Sequence, residues 1–251
     1  MLNLAGVNWK IKDIKAVIFD KDGTIIDSHL YWGAIIKKRS RALIKEFGID
    51  RMFYEDICLV MGYSLKEKKL LTHGPIALVS REKVIKILVN YFKTHSIKTS
   101  ETVIANIFVN VHKDFLKVIY KYIKILPRAK NVLIKIKRSG VKTALITSDS
   151  TTNAEAIVSH LGLKKYFDLV TGRELAVQPK VSGVPAVKVC KILNVRPKDT
   201  VCVGDAPMDI LMARKAKLKA CIAVALGQTP YLELSKKTKY LIKNFTNLKI
   251  N

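Results

Sequence analysis

Two carboxylates one residue apart, Asp20 and Asp22, end the short apolar run Ala16-Val17-Ile18-Phe19 and are followed at once by Gly23 and Thr24. In an extended chain, side chains alternate between faces. Residues two apart therefore share a side or flank the point where a strand leaves its sheet. Paired carboxylates at the end of a buried strand are costly to keep there. Proton-transfer chemistry or a bound cation accounts for such a cost. Two further apolar runs end in a similar way. Lys142 to Ile146 leads into Thr147-Ser148-Asp149, and Thr200 to Val203 leads into Gly204-Asp205, with Asp209 shortly after. A lone Asp after a strand commonly forms a turn or caps a helix. Three polar strand ends, with a candidate Lys, are harder to explain that way.

The surrounding pattern predicts the elements that would carry these residues. Residues 16–19 are too few and too apolar for an independent helix and read as a buried strand. Asp27 or Ser28 can cap a helix from about Leu30 to Phe47, closed by Gly48. The pattern then stays helical to about Ile125, with segments near 55–60, 64–71, 80–95 and 99–124. From Pro127 onward, helices and strands alternate. Helices are expected up to Gly140, over Thr151–Leu161, Pro185–Leu193 and Pro207–Ala216, and strands over 142–146, 167–170, 200–203 and 220–224. Such alternation argues for an α/β, Rossmann-like parallel sheet wrapped by helices. Residues 1–27 and 126–251 would form that core, and residues 28–125 an inserted all-helical domain. The first strand must join the later ones to bury both its faces. In such sheets the site lies outside the carboxyl ends of the strands, where the three polar ends fall.

Composition narrows the function classes. The longest apolar runs fall far short of the roughly 20 residues of a membrane helix, and the N-terminus has no basic leader. Cys58, Cys190, Cys202 and Cys221 lack close metal-ligand spacing and sit in apolar stretches. They read as buried thiols in a reducing cytoplasm. The net charge of +25 admits a nucleic-acid partner. Its distribution does not favour one: residues 28–125 hold 18 basic and 8 acidic side chains, the same net density as the rest of the chain. The basic residues are mostly Lys, whereas Arg suits bidentate phosphate and base contacts.

Taken together, the motifs closely resemble those of the haloacid dehalogenase superfamily. The resemblance rests on Asp20-Lys21-Asp22-Gly23-Thr24, then Ala144-Leu145-Ile146-Thr147, then Lys180 and finally Gly204-Asp205-Ala206-Pro207-Met208-Asp209, in the family's order. Val181 stands where a Pro often follows the family's Lys. The resemblance implies that Asp20 is a nucleophile forming an aspartyl-phosphate, and that Asp22 moves protons to the leaving oxygen and from water. It implies that Thr147, Ser148 and Lys180 bind the phosphoryl group. Mg²⁺ would be held by Asp20, Asp205 and the backbone carbonyl of Asp22, with Asp209 a ligand or an orienting partner. Asp149 and Ser150 are expected to cap the next helix. An acid at position 22 points to a phosphatase or phosphomutase and away from dehalogenation.

A helical insertion after the first motif resembles the cap of the phosphoglycolate phosphatase-like branch. There the loop around Met61-Gly62-Tyr63-Ser64 would itself hold specificity residues. Lys66, Lys68 and Lys69 could reach a second anion of the substrate or simply form a solvated face. His29, Tyr31 and Trp32 could touch substrate or pack, Gly33 could ease a hinge, and His73 reads as a loop residue. The expected activity is Mg²⁺-dependent hydrolysis of a small phosphorylated metabolite. The alternatives are a phosphomutase similar to β-phosphoglucomutase, a phosphonate hydrolase using a cap Lys, or a basic nucleic-acid-binding protein on the same fold.

Overall fold

The computed structural model describes residues 2–251. It divides into two compact units, Met1–Asp27 with Lys124–Asn251, and Ser28–Ile123. The chain opens on an antiparallel hairpin, β1 (Leu2–Ala5) and β2 (Lys10–Ile14), and passes into β3 (Ala16–Phe19), buried at every residue. The second unit follows, with α1 (Ser28–Phe47), α2 (Phe53–Val60), the two-residue strands β4 (Tyr63–Ser64) and β5 (Lys69–Leu70), α3 (Arg81–Thr94) and α4 (Glu101–Leu116). The chain then returns through α5 (Ala129–Arg138), β6 (Lys142–Ile146), α6 (Thr151–His160), β7 (Leu169–Thr171), α7 (Val184–Ile192) and β8 (Thr200–Gly204). It closes with α8 (Pro207–Lys215), β9 (Ala220–Val224), α9 (Tyr231–Ser235), β10 (Leu241–Ile242) and β11 (Lys249–Ile250).

The first unit is built on a six-stranded parallel sheet in the order β10-β9-β8-β3-β6-β7. β3 lies between β6 and β8, and Phe19 stands level with Leu145 and Val203. The three polar strand ends are therefore neighbours at one edge of the sheet. Ile18, Ala144, Ile146 and Cys202 of the strands pack with Val189, Met212 and Ala213 of α7 and α8. Each large buried aliphatic side chain contributes about 1.5–3 kcal/mol, so the strand ends rest on a rigid floor. All four cysteines are free and buried. Among the described residues, no helix is long and apolar enough to cross a membrane.

Three local features differ from the expectation. Residues 64–71 are not helical. Tyr63 pairs with Leu70 across β4 and β5, Lys68 takes a left-handed φ of 55°, and Ser64 Oγ accepts from the Glu67 N–H at 3.1 Å. The apolar spacing there serves a hairpin whose exposed turn holds Lys66 and Lys68. Residues 2–14 also form strands that their own composition does not announce. β1 is completed by β11 from the far end of the chain, with Asn3 and Asn251 exchanging backbone hydrogen bonds of 2.8 and 3.0 Å. α9 and β10 extend the first unit beyond the last expected strand.

Within the helical unit, His29 Nδ1 accepts from the Leu70 N–H at 3.0 Å, and Tyr31 packs edge-on to Trp32 and Phe115. Gly33 is where the Tyr63 ring approaches the α1 backbone, and a Cβ there would collide with that ring. A packing contact thus accounts for this glycine.

Candidate active site

Asp20 is the first residue beyond β3. Its N–H donates to the Val203 carbonyl at 2.9 Å, which ties the turn to β8. The Lys21 carbonyl then accepts from both the Ile25 and Ile26 N–H groups, and Gly23 N–H donates to Ile26. Gly23 has φ +82°, and a Cβ there would collide with the Asp205 carboxylate. A Cβ at Gly227 would collide with the same carboxylate more severely still. Asp205 follows β8, and Thr24 Oγ1 donates to its Oδ1 at 3.5 Å. Asp209 lies in the first turn of α8 and accepts the Ala206 N–H on Oδ2 at 3.0 Å, so it also caps that helix.

Lys180 sits on a short turn after Pro179, immediately before Gly183 and α7. Its Nζ lies 2.5 Å from Asp20 Oδ1 and 2.6 Å from Asp209 Oδ1. The second contact is a buried ion pair, so one ammonium engages both carboxylates. Burial alone would push the Lys180 ammonium down, but Asp20 and Asp209 outweigh it and hold the group above its ordinary value.

Asp20, Asp205 and Asp209 offer carboxylate oxygens within 4.8 Å of one another, and all three residues are buried. Burial pushes the Asp20 carboxyl up to about 7; Lys180 opposes this, while Asp209 and Asp22 add to it. Asp205 is raised well above the usual carboxylate range by burial, then by Asp20 and Asp209. One ammonium therefore faces three buried acids. An all-oxygen donor set and an excess of negative charge fit a hard divalent cation. The Asp22 carboxylate lies outside this trio. It meets Lys21 Nζ at 3.1 Å, and burial raises it from its ordinary value against the pull of Lys21.

This charge excess has a measurable consequence. An acid raised from 3.8 to about 7 on folding binds its proton more tightly in the folded state. Stability is then lost as pH rises through that interval. In chelator, the melting temperature is expected to fall between pH 5.5 and pH 8, and by less in Asp20→Asn. A divalent cation should stabilise the protein more at pH 8, where it does not compete with protons. Thermal melts of both proteins at the two pH values check this; equal slopes in the two would refute it.

Thr147 is buried at the end of β6. Its N–H donates to Thr171 at 3.1 Å, and its hydroxyl accepts from the Asp149 N–H at 3.2 Å. Ser148 is exposed. Thr147, Ser148 and Lys180 line a common cavity of about 370 Å³ with Gly172, Arg173 and Gln178. Ser150, as expected, caps α6 by accepting the Asn153 N–H. Asp149 is not the cap: it pairs with Lys21 at 3.1 Å. Lys21, between the two acids of the first motif, is fully buried, which nothing in the sequence marks. Gly227 also went unread, because no motif marks it.

A family model described as haloacid dehalogenase-like hydrolase matches residues 14–217. A protein of Caldanaerobacter subterraneus subsp. tengcongensis, provisionally named pyrophosphatase PpaX, is 30% identical over 239 residues, covering 94% of this chain and 93% of the relative. Phosphoglycolate phosphatase of Aquifex aeolicus is 25% identical over 211 residues, covering 84% and 85%. The solved structure of a predicted phosphoglycolate phosphatase from Haemophilus somnus shares the fold. Its TM-score is 0.74 at 19% identity, covering 94% of this chain and 96% of that one. With the family match spanning most of the α/β unit and the acids and Lys180 gathered at its strand ends, the chain belongs to the haloacid dehalogenase-like hydrolases.

Proposed function

We propose that the protein is a Mg²⁺-dependent phosphatase acting on a small phosphorylated metabolite through an aspartyl-phosphate. The α/β unit is its catalytic domain, and the helical unit is the cap domain of the family. The observation that carries this reading is the Lys180 ammonium set between Asp20 and Asp209, with Asp205 beside them. Phosphate monoesters hydrolyse extremely slowly unaided, so a catalyst must supply concentrated, preorganised charge.

In the proposed reaction an Asp20 oxygen attacks phosphorus. The bond to the leaving oxygen breaks, and that oxygen takes a proton from Asp22. Asp22 then takes a proton from the water that cleaves the aspartyl-phosphate. Lys180, the Thr147 hydroxyl and the backbone N–H groups around Ser148 hold the phosphoryl oxygens. Asp20, Asp205 and the Asp22 carbonyl would hold Mg²⁺, with Asp209 bound to it or orienting its ligands, and the ion would neutralise phosphoryl charge. The four buried thiols suit a reducing cytoplasm.

The test is release of inorganic phosphate from an aryl phosphate. Activity is expected with Mg²⁺ and none in chelator. Binding of nucleic acid with no phosphate release in either condition would overturn the reading, and transfer of phosphate within a sugar in preference to release would make it a mutase.

Pyrophosphate and phosphoglycolate, the substrates in the relatives' names, each carry a second anion beyond the transferred phosphoryl group. The cavity beside Lys180 has one exposed guanidinium, Arg173, suited to such a group. Arg173→Ala is expected to raise KM for whichever of the two is turned over by roughly tenfold, the worth of an exposed charge-assisted contact. It should leave KM for an aryl phosphate unchanged. Equal effects on both substrate types would remove Arg173 from the substrate's path.

A further inference from the structure

Lys21 is the residue the proposed reaction does not use, and its placement is the least expected in the site. It stands between the two acids of the first motif, yet its side chain is fully buried. Its Nζ lies 3.1 Å from Asp22 Oδ1 and 3.1 Å from Asp149 Oδ2, bridging the loop after β3 to the loop after β6. Asp149 is itself held. Its Oδ1 accepts the Ser150 N–H at 2.8 Å, and its Oδ2 accepts from Asn153 Nδ2 at 2.5 Å, one turn into α6. The Lys21 carbonyl anchors the turn that carries Asp22 through the Ile25 and Ile26 N–H groups. Lys21 is thus fixed at both its backbone and its ammonium.

The geometry points to Lys21 as a positioning residue that, braced by Asp149, fixes the Asp22 carboxyl for proton delivery to the leaving oxygen. This rests on the reading of Asp22 as the proton donor. A carboxyl has two oxygens, and an ammonium offers only donors. With Oδ1 engaged by Lys21, the proton that Asp22 delivers sits on Oδ2. The ammonium therefore selects which oxygen serves as the acid and holds the carboxyl plane in one orientation. As the phosphorus–oxygen bond breaks, that Oδ2 proton passes to the departing oxygen, and Asp22 is left as a carboxylate paired with Lys21. A side chain that merely stapled two loops would do none of this selectively.

Leaving-group dependence separates the two roles. A nitrophenolate departs without a proton, whereas an alkoxide needs one, so loss of well-placed acid catalysis falls on alkyl phosphates. In the Mg²⁺-loaded full chain, Lys21→Met is expected to lower kcat/KM for an alkyl phosphate by about 10²-fold and for nitrophenyl phosphate by only a few-fold. Asp149→Asn, which keeps the shape and removes one arm of the clamp, should show the same selectivity with a smaller loss. It decides the matter alone if Lys21→Met does not fold. Asp22→Asn calibrates the series and should be the most selective of the three. If Asp22→Asn is selective while the folded clamp variants lose equally on both substrates, Lys21 is a staple and the proposal fails. If Asp22→Asn itself loses equally on both, the reading of Asp22 fails first.

Discussion

Asp20→Asn is expected to reduce phosphate release by at least about 10⁴-fold, the scale on which enzymes lose a nucleophile, while the protein stays folded. Both halves of this outcome follow from the environment of the side chain. The Asp20 carboxylate is set toward Lys180 at 2.5 Å, and its backbone is pinned to β8. An amide of the same shape fills the same space and still offers an oxygen to Lys180. It cannot form an acyl phosphate. The substitution also removes one of three crowded buried acids, so the metal-free protein should melt no lower than the wild type at pH 8. Lost activity with retained or raised melting temperature marks a group kept for chemistry at the expense of stability. Phosphate release in single-turnover and steady-state assays, beside a thermal melt, reads both. Activity within tenfold of wild type would remove the covalent step.

What the sequence disclosed and what it hid divide along a physical line. Asp20, Thr147 and Asp205 were legible because each follows a run of buried strand residues, and Asp209 because it stands four residues beyond Asp205. The carboxyl ends of adjacent parallel strands converge without any knowledge of side-chain packing. Lys180 was legible only through the family resemblance, since nothing local places a lysine on a short turn near a carboxylate 160 residues earlier. The Lys21–Asp149 pair was not legible at all. Its members are 128 residues apart, and a lysine among acids reads as a solvated charge until burial is known. The hairpin at the start of the chain was hidden for a related reason. β1 needs β11, and strand pairing between chain ends leaves no periodic mark on either segment alone. At residues 64–71 the apolar spacing served two structures equally well, and the left-handed Lys68 decided for the hairpin.

Lys180→Met should combine the largest stability cost at this site with a strong loss of activity, and its pH dependence should reveal why. The ammonium is all but fully buried and touches two carboxylates at 2.5 and 2.6 Å. Removing one partner of a buried ion pair leaves uncompensated charge and costs about 3–5 kcal/mol. Here two acids are stranded, and Asp205 interacts unfavourably with both. The cheapest relief is protonation, so Asp20, already up to about 7, is driven higher still. Stability is then lost more steeply as pH rises. The melting temperature of Lys180→Met should therefore lie close to that of wild type at pH 5.5 and well below it at pH 8 in chelator, with a divalent cation restoring part of the difference. Activity should fall by about 10²–10³-fold, the scale for losing one preorganised charge facing the phosphoryl group. It should fall furthest at neutral pH, where Asp20 would now carry a proton and could not attack. A melting temperature lowered equally at both pH values would mean that Lys180 serves packing rather than charge, and that the three acids are held ionised by some other means.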